Sequence, residues 1–403
     1  MTRPRLSLFA RKLLHEWQRL ELPETDARII VAVSGGADSA ALMLGLDELV
    51  KNEKLQFTLT IAHLDHGLRV ESRKDAVWVS QLAKELGHAA VAGKANLKRK
   101  TSKPRENLEQ AARKARYEFL QKTAAKADSQ IVLTAHTLDD QAETILLRLL
   151  RGSAAEGLSG IPTEREIARG SQVKLVRPLL SWAQRRDTED YCRLRQIDFR
   201  VDEMNDDESF ARVRVRKQLL PLMKSFNSRT VEALSRTAVL LNEDAAALQY
   251  EAVRLLEAAI QPSRTPIVRE GSIRRQTSAL ANARGSARTA TRRSPIVREG
   301  AIGRQNRALA NARGSAWLGR SSETKWPSLS VSVLLQAPVA VRRRALREWI
   351  LRARGNLYRV EMVHLVNVEA LLKGERGGRV AELPGGMTVT RRRGMLELCN
   401  KKG

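Results

Sequence analysis

The sequence predicts an α/β protein with a doubly wound parallel sheet, followed by a helical domain and a small C-terminal α+β domain. Short apolar runs alternate with stretches of helical periodicity over residues 28–180, as in consecutive β-α-β units. A glycine-rich turn, Ser34-Gly35-Gly36-Ala37-Asp38-Ser39, joins the first apolar run to the first helix. Ionisable residues follow the second, fourth and fifth strands, where such sheets bind ligands.

Apolar runs give the strands, and 3.6-residue periodicity gives the helices. Strands are predicted at Ile29–Val33, Phe57–Ala62, His88–Val91, Ile131–Ala135 and Val173–Val176. Helices between and after them are predicted at Asp38–Val50, Ser72–Leu86, Asn107–Ala127, Leu138–Leu150, Ser181–Ile197, Ser228–Ile260 and Val339–Arg354. An amphipathic helix precedes them and ends near Leu20 to Leu22, and residues 379–398 read as a β-hairpin region.

The glycine loop is suited to hold phosphate. A strand, a glycine turn and a helix N-terminus together present backbone N–H groups to an anion. Gly35 and Gly36 let the backbone approach closely, and Ser34 and Ser39 add hydroxyl donors. A carboxylate at Asp38 would repel phosphate unless a cation lay between them, which indicates Mg²⁺ or an ammonium group. A capped strand-to-helix turn is the alternative for these six residues alone.

Charge and cysteine content narrow the class of protein. The 403 residues carry a formal charge of +26, which predicts a polyanionic partner such as nucleic acid, with a solvated basic surface as the alternative. Cys192 and Cys399 are far apart, which argues against a disulfide scaffold, a zinc ribbon and an iron–sulfur cluster. Reduced cysteines and the lack of an apolar run of membrane-spanning length lead us to expect a cytoplasmic protein.

An internal repeat interrupts the second half of the chain. Pro266–Gly271 recurs as Pro295–Gly300, at an offset of 29 residues. The surrounding segment, residues 263–316, contains 12 arginines, no lysine and 2 glutamates. It has too little apolar surface to offset the entropy of ordering, so we expect a duplicated, disordered insertion. An arginine-rich RNA-binding tail is the alternative.

Known nucleotide motifs are missing from the glycine loop. It lacks the lysine of a P-loop, the dinucleotide fingerprint and the nucleophile elbow of α/β-hydrolases. Single residues after the other strands have ordinary alternatives: Asp139 and Asp140 favour a helix N-terminus, and Glu109 and Arg113 could form a surface ion pair. Their common place at the strand ends of one predicted sheet favours a single site instead.

Several segments in this order resemble the bacterial tRNA(Ile)-lysidine synthetases, a family of PP-loop (N-type) ATP pyrophosphatases. The segments are Ser34–Ser39, His63–Arg69, Asn107–Tyr117, His136–Thr144, Arg177–Leu179 and Arg212–Arg216. The resemblance implies that ATP adenylates O2 of the wobble cytidine in tRNA(Ile) with a CAU anticodon. L-lysine then displaces AMP at C2 to give lysidine. It also implies Mg²⁺ as a cofactor, with unidentified ligands.

The resemblance assigns roles by position: phosphate binding at the glycine loop, lysine ammonium or Mg²⁺ at the acidic residues, and cytidine at the arginine. The implied catalytic residues are Asp38, His136, Asp140 and Arg212. The implied ATP-binding residues are Ser34, Gly35, Gly36, Asp38, Ser39, His63, Asp65 and Arg113.

We expect the chain to divide into five parts. They are an N-terminal helix (1–27), a PP-loop ATP-binding domain (28–200), a helical tRNA-binding domain (201–262), the insertion (263–316) and a small basic tRNA-binding domain (317–403). Two other functions stay open: another PP-loop adenylating enzyme acting on tRNA or a small molecule, and a non-catalytic basic RNA-binding protein. A pyrophosphate release that requires both lysine and tRNA would separate them.

Overall fold

A computed structural model describes residues 5–65, 67, 72–95, 105–168, 170–200, 207–260, 326–373 and 379–400, without the side chains of 72–73 and 105–109. It divides into two compact units, Met1–Glu243 and Asp244–Gly403. The predicted insertion at 263–316 lies outside the described residues. The division of the chain into five parts therefore stays a prediction.

The N-terminal unit contains a six-stranded sheet with mainly parallel pairing. Its strands are β1 (Thr25–Ala32), β2 (Gln56–Asp65), β3 (Ala89–Lys94), β4 (Ile131–Leu133), β5 (Glu164–Glu166) and β6 (Lys174–Val176). They lie in the order β3-β2-β1-β4-β6-β5, with only β5 antiparallel to its neighbour. Val31 pairs with Ile61 of β2 and with Leu133 of β4, so these three strands end side by side.

Helices cover both faces of this sheet. They are α1 (Leu8–Arg19), α2 (Ala37–Lys51), α3 (Ser72–Leu86), α4 (Arg105–Lys126), α5 (Leu138–Leu150), α6 (Ala155–Leu158) and α7 (Arg185–Leu194). Successive residues of β1 point to opposite faces. Ile29 and Val31 pack in a core with α1, α2 and α7, whereas Ile30 packs with Leu120 and Ala124 of α4. The predicted doubly wound fold is confirmed.

The arginine segment follows as a broken helix. It comprises α8 (Ala211–Arg214), a π-helical turn (Val215–Leu219) and α9 (Leu220–Phe226), and it leads into the long helix α10 (Thr230–Ile260). Val215 and Leu220 pack against Leu138 and Ala142 of α5. This packing brings the arginine segment beside the helix that follows β4.

The C-terminal unit is the predicted small α+β domain. Strands β7 (Leu329–Ser330), β8 (Val380–Leu383), β9 (Met387–Arg392) and β10 (Met395–Asn400) form an antiparallel sheet in the order β7-β10-β9-β8. Helices α11 (Val331–Leu335), α12 (Val339–Arg354) and α13 (Met362–Ala370) complete it. Trp349 of α12 is fully buried, and Glu369 of α13 accepts hydrogen bonds from Arg342 and Arg343.

No helix within the described ranges combines the length and the apolar character that crossing a bilayer requires.

Candidate active site

Hydrogen bonds of a serine side chain within the glycine loop fix the conformation of that loop. The Ser39 hydroxyl accepts a hydrogen bond from the Ser34 N–H at 3.1 Å and donates to the Gly36 carbonyl at 3.0 Å. Gly35 has φ +99°, a conformation that residues with a Cβ rarely adopt. Gly36 is the N-cap of α2. The loop therefore sets a helix N-terminus at the end of β1, an arrangement that suits an anion.

A cavity of about 560 Å³ lies over this loop, at the carboxyl ends of β1, β2 and β4. It brings together most of the residues predicted from the sequence. Those that line it are Ser34, Gly36, Asp38, Ser39, His63, Asp65, His136, Asp140 and Arg212. Among the described residues of the prediction, Gly35 and Arg113 do not line it. Gly35 instead accepts a hydrogen bond from the Arg200 N–H, and Arg113 lies over the Tyr117 ring.

Asp38 projects from the first turn of α2 into the cavity, where it accepts a hydrogen bond from the Thr188 hydroxyl. Burial raises the pKa of the Asp38 carboxyl to about 6. The hydrogen bond from Thr188 and the positive charge of Arg185 lower it, and the negative charge of Asp140 raises it. Because two carboxyl groups share this corner, a cation would be bound more readily than an anion.

Asp140 accepts hydrogen bonds from two residues. Its Oδ2 accepts a hydrogen bond from the Thr137 N–H at 2.9 Å, and its Oδ1 accepts one from Arg212 Nη2 at 2.8 Å. Asp140 therefore both caps the N-terminus of α5 and pairs with an arginine that lines the cavity. Burial opposes ionisation, but Arg212, His136 and the Thr137 N–H outweigh it, so the pKa of Asp140 is lowered. Asp140 is a carboxylate at neutral pH.

Glu143 lies one helical turn after Asp140 and has a fully buried side chain. Arg212 Nε donates to it at 2.6 Å and Arg216 Nε at 2.7 Å, while Arg185 Nη2 lies 3.5 Å away. Arg212 and Arg216 thus lie on one face of this segment, whereas Arg214 is exposed. Glu143 thereby fixes the arginine segment against α5.

His136 follows β4, and its Nδ1 lies 3.1 Å from the Thr134 hydroxyl. Burial lowers the pKa of its imidazole to about 4, with the positive charges of Arg177, Arg212 and Arg113 acting in the same direction and Asp140 against it. The ring is therefore neutral at physiological pH. It can exchange hydrogen bonds with a ligand without adding charge.

At the end of β2, His63 and Asp65 are both buried. His63 Nδ1 lies 2.8 Å from the Val33 carbonyl, so this nitrogen carries the proton. Its Nε2 is buried and has no hydrogen-bond partner among the described residues. Asp65 Oδ1 accepts a hydrogen bond from the Gly67 N–H at 2.7 Å. His63 therefore offers an acceptor to the cavity, whereas Asp65 holds the turn after the strand.

The structure adds cavity residues that sequence reasoning did not select. They are Asp75, Arg116, Tyr117, Arg185, Glu189, Arg200 and Arg216. Arg116, Tyr117 and Arg216 belong to segments that carry the family resemblance, so a signal existed for them. Arg185 is the first residue of α7, a helix that contains no functional motif recognised in the sequence.

The Cys192 thiol is not suited to nucleophilic chemistry. Cys192 is buried, and its burial raises the pKa of the thiol to about 12. Cys399 is exposed in the C-terminal unit. At neutral pH the Cys192 thiol stays protonated although it lies near Asp38.

Possible metal ligands are sparse. Among the described residues there is no group of three or more His, Cys, Asp or Glu side chains that could hold a metal ion. Mg²⁺ is usually held by one or two carboxylates together with substrate phosphates. The Asp38 carboxyl beside a phosphate-binding loop fits that pattern, and a preformed protein cage is not needed.

Comparison with known proteins agrees with this site. Residues 7–223 match the PP-loop domain family, and residues 329–397 match the TilS substrate-binding domain. The tRNA(Ile)-lysidine synthase of Dehalococcoides mccartyi is 40% identical over 223 residues, covering 55% of this chain and 47% of that protein. That of Geobacter sulfurreducens is 33% identical over 365 residues, covering 90% of this chain and 63% of that protein. The chain thus spans less than two thirds of the length of either relative.

Among solved structures, the U34-tRNA thiolase NcsA of Methanococcus maripaludis is similar at 15% identity, with a TM-score of 0.47 over 58% of this chain and 80% of that chain. The PP-loop family match extends over more than half of this chain, and the resemblance identified in the sequence is confirmed. The chain therefore belongs to the PP-loop family, with a C-terminal segment of the TilS substrate-binding type.

Proposed function

We propose that this protein ligates L-lysine to C2 of the wobble cytidine of tRNA(Ile) with a CAU anticodon. ATP first adenylates O2 of the cytidine and releases pyrophosphate. The lysine amine then attacks C2 and displaces AMP, giving lysidine. A cytosine carbonyl oxygen is a poor leaving group, which is why ATP is required.

One observation carries this proposal: the phosphate-binding loop, two acidic groups and an arginine meet in one cavity. The acidic groups are Asp38 and Asp140, and the arginine is Arg212. Phosphate, ammonium and a nucleotide would find matching partners there. The similarity to tRNA(Ile)-lysidine synthases supports the same chemistry.

In the first step the protein would hold ATP and expose its α-phosphorus to the cytidine oxygen. Backbone N–H groups at Gly35, Gly36 and the start of α2 would bind the phosphates. His136, neutral at physiological pH, would donate a hydrogen bond as negative charge moves onto the pyrophosphate. Before lysine occupies the acidic pair, Asp38 would be the residue that holds Mg²⁺, which would supply neutralisation of part of the phosphate charge.

In the second step the acidic pair would receive lysine. Asp140 is ionised, and Asp38 has a pKa of about 6, so both are largely carboxylates at pH 7.5 and attract an ammonium group. The amine must lose a proton before it attacks, and Asp38 is suited to accept it. Arg212, held by Asp140 and Glu143, would face the adenylated nucleotide.

The partners follow from the same reaction. A net charge of +26 favours binding to tRNA through its phosphates, and affinity should fall steeply with salt. ATP, lysine and tRNA are substrates found together in the cytoplasm, which is the location that we propose.

The test uses purified protein with ATP, radiolabelled lysine and tRNA transcripts that differ in the anticodon. We expect lysine incorporation into the CAU-containing tRNA(Ile). Pyrophosphate release over many turnovers should need both lysine and tRNA, whereas tRNA without lysine should give at most one pyrophosphate per active site. D38N and D140N should abolish both. Pyrophosphate release over many turnovers without lysine would favour another adenylating enzyme, and tRNA binding without any release would favour a non-catalytic protein.

A further inference from the structure

Three arginines surround Tyr117 beside the cavity. Arg113 and Arg165 lie with their guanidinium carbons 5.4 and 4.6 Å from the centre of the Tyr117 ring. Arg177 interacts with the tyrosine hydroxyl from its buried position at the end of β6. Tyr117 itself lines the cavity. We call these four residues the arginine–tyrosine cluster.

The cluster has positive charge that described carboxylates do not neutralise. Arg165 donates hydrogen bonds to the carbonyls of Glu166 and Ile167, and Arg177 to that of Pro162. Across the described part of the chain, no carboxylate contacts Arg165 or Arg177 (the Glu109 side chain, near Arg113 in sequence, is outside that part).

This differs from the other arginines of the site. Arg212 and Arg216 both donate to the buried carboxylate of Glu143. In contrast, Arg177 is only 1% exposed, and its buried Nε has no hydrogen-bond partner among the described residues. A buried guanidinium with one unsatisfied donor, Nε, and like-charged neighbours favours an anion nearby.

The pKa of Tyr117 reflects the positive charge of the same three arginines. Burial alone would raise the pKa of its hydroxyl, but Arg113, Arg165 and Arg177 together lower it. The hydroxyl is therefore a stronger hydrogen-bond donor than an ordinary phenol. Phosphate oxygens accept such bonds.

The position of the cluster separates it from the glycine loop. The loop follows β1, His136 follows β4 and Arg177 follows β6, and these three strands are consecutive in the sheet. Neighbouring strands are about 4.8 Å apart, so β1 and β6 are roughly 10 Å apart. His136 stands between them. The triphosphate of ATP would occupy the β1 side, which leaves the β6 side for a second phosphate.

We propose that the arginine–tyrosine cluster binds a backbone phosphodiester of the RNA substrate next to the nucleotide that is modified. The proposal rests on the proposed function for the identity of that RNA. Arg165 and Tyr117 would contact the phosphate. Arg177 would add positive charge through its interaction with the Tyr117 hydroxyl. The contact would orient the target nucleotide toward His136 and Arg212 without reading its base.

The test measures binding of a CAU-containing tRNA(Ile) transcript without ATP at several salt concentrations, and KM for ATP separately. R165Q should weaken tRNA binding about tenfold at low salt and reduce the slope of log K against log salt by about 1, the loss of one phosphate contact. Y117F should weaken binding less, because it keeps the ring. KM for ATP should not change in either variant.

R28Q is the matched control. Arg28 is in β1, away from its carboxyl end, and forms an exposed pair with Asp128. It should leave both the affinity and the slope unchanged. R165K should keep the salt slope, because it keeps the charge. If R165Q fails to fold, the weaker tRNA binding expected of Y117F carries the test.

Two results would overturn the proposal. Unchanged tRNA affinity and slope in R165Q would leave the cluster without an RNA contact. A higher KM for ATP with unchanged tRNA binding would assign the cluster to the nucleotide instead. Lysine incorporation by the wild-type protein tests the proposed function independently, since tRNA binding is measured here without turnover.

Discussion

Glu143 and Arg212 are 69 residues apart in sequence, yet Arg212 Nε donates to Glu143 Oε2 at 2.6 Å. The glutamate side chain is fully buried, whereas that of the arginine is 34% exposed. One carboxylate thus connects the helix after β4 to the arginine segment. Because Arg212 also binds Asp140, its guanidinium is held at the cavity from two sides.

E143Q should loosen this connection. The amide keeps the shape but leaves Arg212, Arg216 and Arg185 without their shared negative charge. Removing one partner of a buried ion pair costs about 3–5 kcal/mol. We expect about 1–3 kcal/mol here, because the guanidiniums are partly exposed and can be solvated. Denaturant unfolding measures that loss, and lysine incorporation should fall at the same time through kcat.

E118Q is the control for that change. Glu118 is exposed on α4 and lies 3.8 Å from Lys114, a pair of the kind that contributes only about 0–1 kcal/mol. Equal losses in stability for E143Q and E118Q would contradict the role of Glu143 as a structural anchor.

The raised pKa of Asp38 makes stability depend on pH in a defined direction. The folded state, with a pKa of about 6, holds the proton more tightly than the unfolded chain, with about 3.9. Stability should therefore decrease as pH rises from about 4 to 6, and the loss should persist above pH 6. D38N removes the ionisation, so it should stabilise the free protein at pH 7.5 by on the order of 1–3 kcal/mol.

Thermal unfolding of wild type and D38N at pH 4, 6 and 7.5 measures that difference. The difference should be small at pH 4 and largest at pH 7.5, although D38N should be inactive in ligation. D244N, an exposed change on α10, should alter stability little at each pH. A destabilised D38N protein at pH 7.5 would show that the carboxylate stabilises the fold, contrary to this account.

Gly35 and Gly36 should respond differently to alanine. Gly35 has φ +99°, so G35A should cost about 1–2 kcal/mol in unfolding free energy. Gly36 has φ −73°, and an added Cβ would lie 3.7 Å from Ser34 Oγ, an ordinary contact. G36A should therefore lose less stability, mainly through the weaker N-cap, but raise KM for ATP about tenfold by obstructing a phosphate. Equal melting temperatures for the two variants would refute the strain argument.

Some elements could be predicted from the sequence because their local signals are strong. The helices Ser72–Leu86, Leu138–Leu150 and Val339–Arg354 have the predicted limits. The helix predicted at Ser181–Ile197 spans only Arg185–Leu194, because Gln184 caps it. Asp187 accepts a hydrogen bond from the Gln184 N–H, and Asp139 accepts one from the Arg185 N–H. Strand β5 (Glu164–Glu166) was missed, since three polar residues carry no strand signal.

The site shows the same division. The glycine loop is a local pattern, and the residues at strand ends follow from the topology of a parallel sheet. The buried state of Glu143 does not follow from either, because it depends on Arg212 and Arg216 arriving from a later segment. Arg113 shows the opposite case: it belongs to a segment with family resemblance, yet it contacts Tyr117 rather than the cavity surface.

Deletion of residues 263–316 should leave ligation within about twofold of wild type. The core of the C-terminal unit joins Leu256 of α10 to Leu329 and Trp349, so its packing involves residues on both sides of the deletion. Residues 261–262 and 317–325 would remain as the connection, and the cost of closing a loop depends only weakly on its length. Unfolding curves should show that the shortened protein folds. An inactive but folded protein would contradict the prediction, and weaker tRNA binding by that protein would favour the arginine-rich RNA-binding alternative.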